Sequence, residues 1–349
     1  MIDQELMFSQ RERTSRVGFA LIELAVVLAT CATVLVLLIP ALLNMRKEAR
    51  LATDLGKFHN IAGWTDSYAA DFENHFPIFS WQGGETYSAS LPTLMFAQDD
   101  LQAAANQAIE IIRTAGGRSD ITQIISWIPH PSYGHLVLAQ YADRPLLGTD
   151  FVSAADRHRI NWTKDPQNKF EVNFWLPYQP VYSGSTAKRW PYSASYEFNP
   201  AMWDRGAVAH LRVYQTTSTS QYSIPGMADL GPHLRSEMRY PSNKAVVYDK
   251  HSRHFDRNGA YFWLPEAKIP VLFGDGSASV RSIADANLSM SPNMPTYTAV
   301  STQATHTPST WEPQLPGGAP SMFLIDRIRW TRAGLKGRDF GGPVVVELP

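Results

Sequence analysis

The chain has 349 residues, and its 31 Lys and Arg against 32 Asp and Glu leave a formal net charge of −1 at pH 7. It therefore lacks the global positive field that nucleic-acid binding leans on, and no nucleic-acid partner is expected. The single cysteine, Cys31, falls in an apolar run, so the rest of the chain holds no intramolecular disulfide and no cysteine-ligated zinc and must rely on its core. The length allows one large or two modest domains, and the 10 Trp and 16 Phe, each burying roughly 150–250 Å², suit that demand.

Residues 1–17 are polar and mixed in charge, with Arg11, Arg13 and Arg16 set against the apolar run. Arginines there favour a cytoplasmic N-terminus, but Arg46, Lys47 and Arg50 make the opposite flank nearly as basic. Charge alone leaves the orientation open. Residues 19–43 contain one charged side chain, Glu23, and are long enough to cross roughly 30 Å of hydrocarbon at about 1.5 Å per residue. A secretory signal would end after about 7–15 apolar residues at a small-residue cleavage site. Here the run closes Ile39-Pro40-Ala41-Leu42-Leu43-Asn44, without that pattern.

A carboxylate at the centre of a membrane helix costs on the order of 2.5–3.5 kcal/mol; Glu23, near one end, costs less but still calls for a cation. Cleavage between Gly18 and Phe19 would supply one, an α-amino group one helical turn before Glu23 or on a neighbouring copy. The segment Gly18-Phe19-Ala20-Leu21-Ile22-Glu23-Leu24 resembles the processing and methylation motif of type IV prepilins and type II secretion pseudopilins, usually Gly-Phe-Thr-Leu-Ile-Glu-Leu. The resemblance implies cleavage after Gly18 by a prepilin peptidase, N-methylation of Phe19, and a role for Glu23 in neutralising a neighbour's terminal amine during filament assembly. Ala20 replaces the commoner Thr, and Pro40 falls where such helices often carry a kinking proline.

Beyond Pro40, Leu51, Leu55, Phe58, Ala62, Ala69 and Phe72 recur at helical intervals and predict an amphipathic stem running to about Asp71, with Pro77 as the stop. The stretch from Tyr68 to Pro77 is similar to the end of the stem in large pseudopilin-like families. Residues 97–115 read as a helix with Ala103, Ala104, Ala108, Ile111 and Ile112 inward, closed by Gly116-Gly117; a shorter helix is expected at 121–127. Strands are expected at 135–141, 169–175, 193–198, 210–214, 244–248, 269–273, 277–283, 323–330 and 344–348, where β-branched and aromatic residues cluster between Pro, Gly and Asn. Asp275-Gly276 predicts a tight hairpin joining two of them. This hairpin also resembles the Phe-x-Asp-Gly-x-Val signature near the C-terminus of many large prepilin-type proteins, with Pro265 standing where a His is common.

The expected organisation is therefore a leader over 1–18, a transmembrane helix over 19–43, a helical stem over 44–75, an α+β head over 76–288, a Pro/Ser/Thr-rich loop over 289–321 and closing strands of the head over 322–349. The implied fold class is α+β and pilin-like, a long membrane-spanning helix packed on an antiparallel sheet.

Asp249, His251, His254 and Asp256 lie close enough in sequence to offer imidazole and carboxylate ligands to a metal. Their spacing matches neither a His-Glu-x-x-His helix nor a calcium loop, and a polar loop explains them as well. Some pseudopilins carry a calcium loop near the C-terminus, so by resemblance calcium is the ion to expect if one is bound. His130 and His135, around Pro131-Ser132-Tyr133-Gly134, read as turn residues. There is neither a Gly-x-Ser-x-Gly elbow nor a phosphate loop, and no enzymatic activity is expected. Trp64, Trp81, Trp162, Trp190, Trp203 and Trp311 could stack on sugars or partner proteins, or pin loops onto the core.

The resulting expectation is a structural subunit of a type II secretion pseudopilus or type IV pilus-like filament. Its partners would be prepilin peptidase, other pilin subunits, an inner-membrane assembly platform and membrane lipid. Such a protein would cross the inner membrane once, with a cytoplasmic N-terminus before processing and a periplasmic or extracytoplasmic head. The rivals are a surface module that binds carbohydrate or protein and uses the signal for delivery, and a tethered hydrolase with a metal at His251 and His254.

Overall fold

A computed structural model describes residues 21–142, 146, 148–167, 185–205, 213–216, 222–224, 228–255, 260–292, 300–307 and 322–345. The chain divides into two compact units, Met1–Arg46 and Lys47–Pro349. Helix α1, Leu21–Asp71, runs through both and continues past Pro40. In the first unit the hydroxyls of Thr30 and Thr33 donate to the carbonyls of Val26 and Ala29, 2.8 Å each, so both polar side chains are satisfied one turn back within the helix.

The second unit begins with the rest of α1, which ends at Asp71, where the hydrophobic periodicity predicts. The stop is not Pro77. Glu73 and Asn74 adopt left-handed φ of 47° and 62°, and the Asn74 amide turns back to the Ala69 carbonyl at 2.7 Å. The buried face of the stem also differs from the expected one: Asp54, Lys57, Phe58, Ile61, Tyr68 and Ala69 are buried, whereas Phe72 is exposed and stacks on Tyr68.

The head then takes short helices before strands. Helix α2, Asp100–Thr114, starts where the Asp99 side chain accepts from the Gln102 amide at 2.8 Å, and it buries Ala103, Ala104, Ala105, Ala108, Ile109 and Ile112. Ile111 is only half-buried. Residues 121–127 are not helical. Ile121, Ile124 and Trp127 are buried at three-residue intervals that imitate a helix, while Ser126 turns the chain at φ 57°.

The expected strand at 135–141 is instead a 3-10 turn, Gly134–Leu138, following the short helix α3, His130–Tyr133. The prolines at 129 and 131 favour a helical start, and complete burial of 134–138 removes the one-sided alternation that would select a strand. Helix α4, Arg157–Lys164, is capped by the Asp156 carboxylate.

Among the described residues eight strands follow: β1 Tyr196–Phe198, β2 Tyr214–Gln215, β3 Tyr222–Ser223, β4 Ala245–Asp249, β5 Lys268–Phe273, β6 Ala278–Ser282, β7 Gln303–His306 and β8 Met322–Ile325. An antiparallel sheet in the order β1-β4-β5-β6 forms the centre, and β2–β3 and β7–β8 are separate ribbons. Strand β4 is buried throughout and β5 at all but Lys268, as their near-continuous Val, Ile and Leu require. The stem packs on this sheet: the Phe58 ring meets Tyr196 of β1 edge-on at 4.6 Å, and Asp66 pairs with Arg235 at 2.7 Å. The fold is thus α+β, a long N-terminal helix whose distal part lies on an antiparallel head.

The Asp275-Gly276 hairpin forms as expected. Gly276 takes φ +82°, and Asp275 Oδ1 accepts from the Ser277 amide at 2.9 Å. Strand β7 lies inside the stretch expected to be an irregular loop. Its alternation of Ala304 and His306 inward with Gln303 and Thr305 outward is carried by residues of weak strand character. Strand β8 ends early because Asp326 accepts from the amides of Arg329 and Trp330, turning the chain out of the sheet direction. The strand expected at 169–175 lies outside the described residues, as do most of 210–214 and 344–348, and 344–345 are not strand.

Candidate functional site

Two features of the structure bear on function. The first is the apolar part of α1. Every large hydrophobic side chain described from Leu21 to Met45 is exposed, Leu21 at 86% and Leu37 at 71%. Among the described residues this is the one helix long and apolar enough to cross a membrane. Glu23 occupies its first turn; Gly18 and Phe19 lie outside the described residues.

The second is a buried polar joint between the stem and the head. Asp54 projects from the stem into the head and is fully buried. It accepts hydrogen bonds from His254 Nε2 at 2.8 Å, from Ser153 Oγ at 2.5 Å and from the Ala154 amide at 2.7 Å. Lys57, one turn on, lies 3.8 Å from the Asp54 carboxylate and donates to the Val152 carbonyl at 2.6 Å. Burial alone would raise the Asp54 pKa, but the bonds from His254, Ser153 and Ala154 together with the Lys57 charge bring it below the ordinary value.

The network continues inward. Ser195 Oγ accepts from the Ser153 amide at 3.0 Å and donates to the Asp156 carboxylate at 2.8 Å, and Arg159 and Arg253 both pair with that carboxylate, at 2.6 and 3.3 Å. Despite its burial, Asp156 is held well below the usual carboxylate range by these two guanidinium groups. Arg253 also pairs with Asp249, the last residue of β4.

Of the four residues singled out for metal binding, Asp249 and His254 come together here. One donor atom from each lies within 4.8 Å of the others in a buried group completed by Asp54, a set that could coordinate a divalent ion such as calcium. His251 points elsewhere, its ring 5.8 Å from Tyr261 and 6.4 Å from His306. Asp256 lies outside the described residues.

Sequence reading missed Asp54, which is 200 residues from His254. The signal available was a carboxylate three residues after Leu51 and four before Phe58, on the face of the stem that periodicity assigns to the core.

Further buried polar groups serve packing. Arg329 forks onto Glu197 at 2.7 and 2.9 Å with both side chains fully buried, and its guanidinium lies 5.2 Å from the rings of Phe262 and Trp263. His130 and His135, read as turn residues, lie at the start of α3 and in the 3-10 turn that follows it. Both are buried, and His130 stacks on Trp203 at 4.1 Å. Trp162, Trp190 and Trp203 are buried, Trp64 packs on Phe151, and Trp81 stacks against Tyr87 at 4.6 Å; Trp311 lies outside the described residues. The described tryptophans thus pin elements together, leaving no broad aromatic platform among themselves.

Comparison with protein-family models, with curated proteins and with solved structures gives no match. The architecture itself defines a general class: an apolar, membrane-type N-terminal helix continuing into a stem that an antiparallel α+β head holds, as in pilin-like proteins.

Proposed function

We propose that this chain is a pilin-like or pseudopilin-like structural subunit, cleaved after Gly18 and assembled into, or associated with, a type II secretion pseudopilus or a type IV pilus-like filament. The observation that carries the reading is a single helix with two characters. Its first part exposes a largely apolar surface, and its second part lays one face into a folded head. A water-exposed run of this kind is unfavourable by roughly 25 cal/mol per Å² of apolar surface, so it calls for lipid before assembly and for other helices after it.

In this reading the protein crosses the inner membrane once, with the head on the periplasmic or extracytoplasmic side. Prepilin peptidase, an assembly platform and neighbouring subunits are its partners. Glu23 receives the methylated amine of Phe19 from a neighbour, an ion pair that repays the cost of a carboxylate in lipid. Filament growth is driven by a separate motor, so the chain itself needs no active site. A Glu23→Ala variant is expected to insert and be cleaved normally yet fail to enter filaments, scored by immunoblotting sheared filament fractions. Incorporation at the wild-type level would contradict the ion-pair role.

The described tryptophans, buried or half-buried, support this reading over a carbohydrate-binding surface module.

A further inference from the structure

The joint between stem and head contains two buried polar atoms with no hydrogen-bond partner among the described residues, Asp249 Oδ2 and His254 Nδ1. Neither is explained by the ion pairs around it. Asp249 uses its other oxygen for Arg253 and for the His251 amide, and His254 uses its other nitrogen for Asp54. Asp249 Oδ2 can only accept, and His254 keeps one ring nitrogen unused beside its bond to Asp54. A carboxylate oxygen left without a donor in a fully buried cluster calls for a positive centre beside it, because an unsatisfied buried polar group costs about 1–3 kcal/mol and a charged one more.

The charges around the joint are mixed: Asp54, Asp150, Asp156 and Asp249 are buried with Lys57 and Arg159, Arg253 lies largely buried beside them, and Lys250, adjacent to Asp249, directs its ammonium to Ser132 Oγ at 2.9 Å. Ser153 Oγ, already on Asp54, adds a neutral oxygen at the same place.

We propose that Asp54, Asp249 and His254 hold one divalent transition-metal ion, which ties the stem helix to the segment following β4. The ion class follows from the donors. Calcium takes six to eight oxygens, whereas one imidazole nitrogen with two carboxylates and few further oxygens suits zinc or manganese. On binding, His254 Nε2 gives its lone pair to the metal in place of its bond to Asp54, and the proton that nitrogen held moves to Nδ1, which has no partner among the described residues. The ion would thereby couple a residue of the stem to two residues of the head that lie about 200 positions later. This inference concerns the head and its stem and stands whether or not the chain enters a filament.

The test uses the full chain, purified in detergent without a metal-affinity step. Elemental analysis is expected to find about one equivalent of zinc or manganese, or the chelator-treated protein is expected to bind one Mn²⁺ by electron paramagnetic resonance, with Tm raised by Mn²⁺ or Zn²⁺ and lowered by EDTA. Asp249→Asn, which keeps the shape and the bond to the His251 amide, is expected to weaken binding at least about tenfold while near-ultraviolet circular dichroism stays that of the wild type. If that variant does not fold, the wild-type Mn²⁺ titration decides alone. A metal-free wild type whose Tm ignores Mn²⁺, Zn²⁺ and EDTA would overturn the proposal, and a response to Ca²⁺ alone would overturn the ion class.

Discussion

The two parts of α1 obey opposite rules. From Leu21 to Met45 its surface is apolar but for Glu23, two threonines and Asn44, and exposed throughout, so what it needs lies outside the chain. From Lys47 to Asp71 the helix is largely polar on its surface, yet its buried face carries Asp54 and Lys57 beside Phe58 and Ile61. The comparison teaches that composition identifies the environment of the first part, while individual polar contacts fix the seating of the second. An apolar stem face would bind the head in several registers; Asp54, with three donors converging on it, fits one.

Substitutions can sharpen that contrast. The largest effect is expected from Asp54→Ala, which strands Lys57 and His254 in the interior and should lower head stability by about 3–5 kcal/mol in urea unfolding of the detergent-solubilised chain. A loss near zero would mean that the joint does not set the seating.

A smaller, pH-dependent effect should come from the buried histidines. Burial depresses His130 and His135 to about 3 and His306 to about 4. The unfolded chain takes up protons on these groups near pH 6.5, and the folded one does not, so stability falls as pH drops from 6.5 towards 4. Each histidine contributes about 1.4 kcal/mol per pH unit to that slope. Asp326, raised by burial to about 6, works in the other direction below that pH because the folded state holds its proton more tightly. Replacing His130 by Phe, which keeps a ring against Trp203, should flatten the slope by about 1.4 kcal/mol per unit. An unchanged slope between pH 6 and 4.5 would show that His130 is not held neutral.

Gly276→Ala tests the hairpin under the stem. At φ +82° an alanine is strained by about 1–2 kcal/mol, although the nearest atom its Cβ would meet, Ala62 Cβ, is at an ordinary 3.7 Å. The smallest effect is expected from Leu37→Ala in the exposed apolar part, which should leave unfolding of the head within about 0.5 kcal/mol of wild type. A loss as large as that of Asp54→Ala would abolish the distinction between the two parts.

Much of the architecture was legible before the structure. The apolar run, the end of the stem at Asp71, α2 and the Asp275-Gly276 hairpin each announce themselves through length, periodicity or a turn that only certain residues tolerate. The failures share a cause. At 121–127, 134–138 and 303–306 the local pattern was overruled by tertiary burial: Ile121, Ile124 and Trp127 are spaced like a helix but serve as separate anchors, and Gln303-Ala304-Thr305-His306 becomes a strand because β8 pairs with it. The joint was half legible. Asp249 and His254 stood out as a cluster, but Asp54 could not be joined to them by spacing, since only folding brings the stem to that loop.

The central claim, that this is a processed filament subunit, turns on the chain's first residues in the cell. Mass spectrometry of the mature N-terminus, from a host that carries prepilin peptidase, tests it most directly. N-methyl-Phe19 as the first residue is the predicted result. A protein that still begins at Met1 would contradict the account and leave the apolar helix a simple anchor.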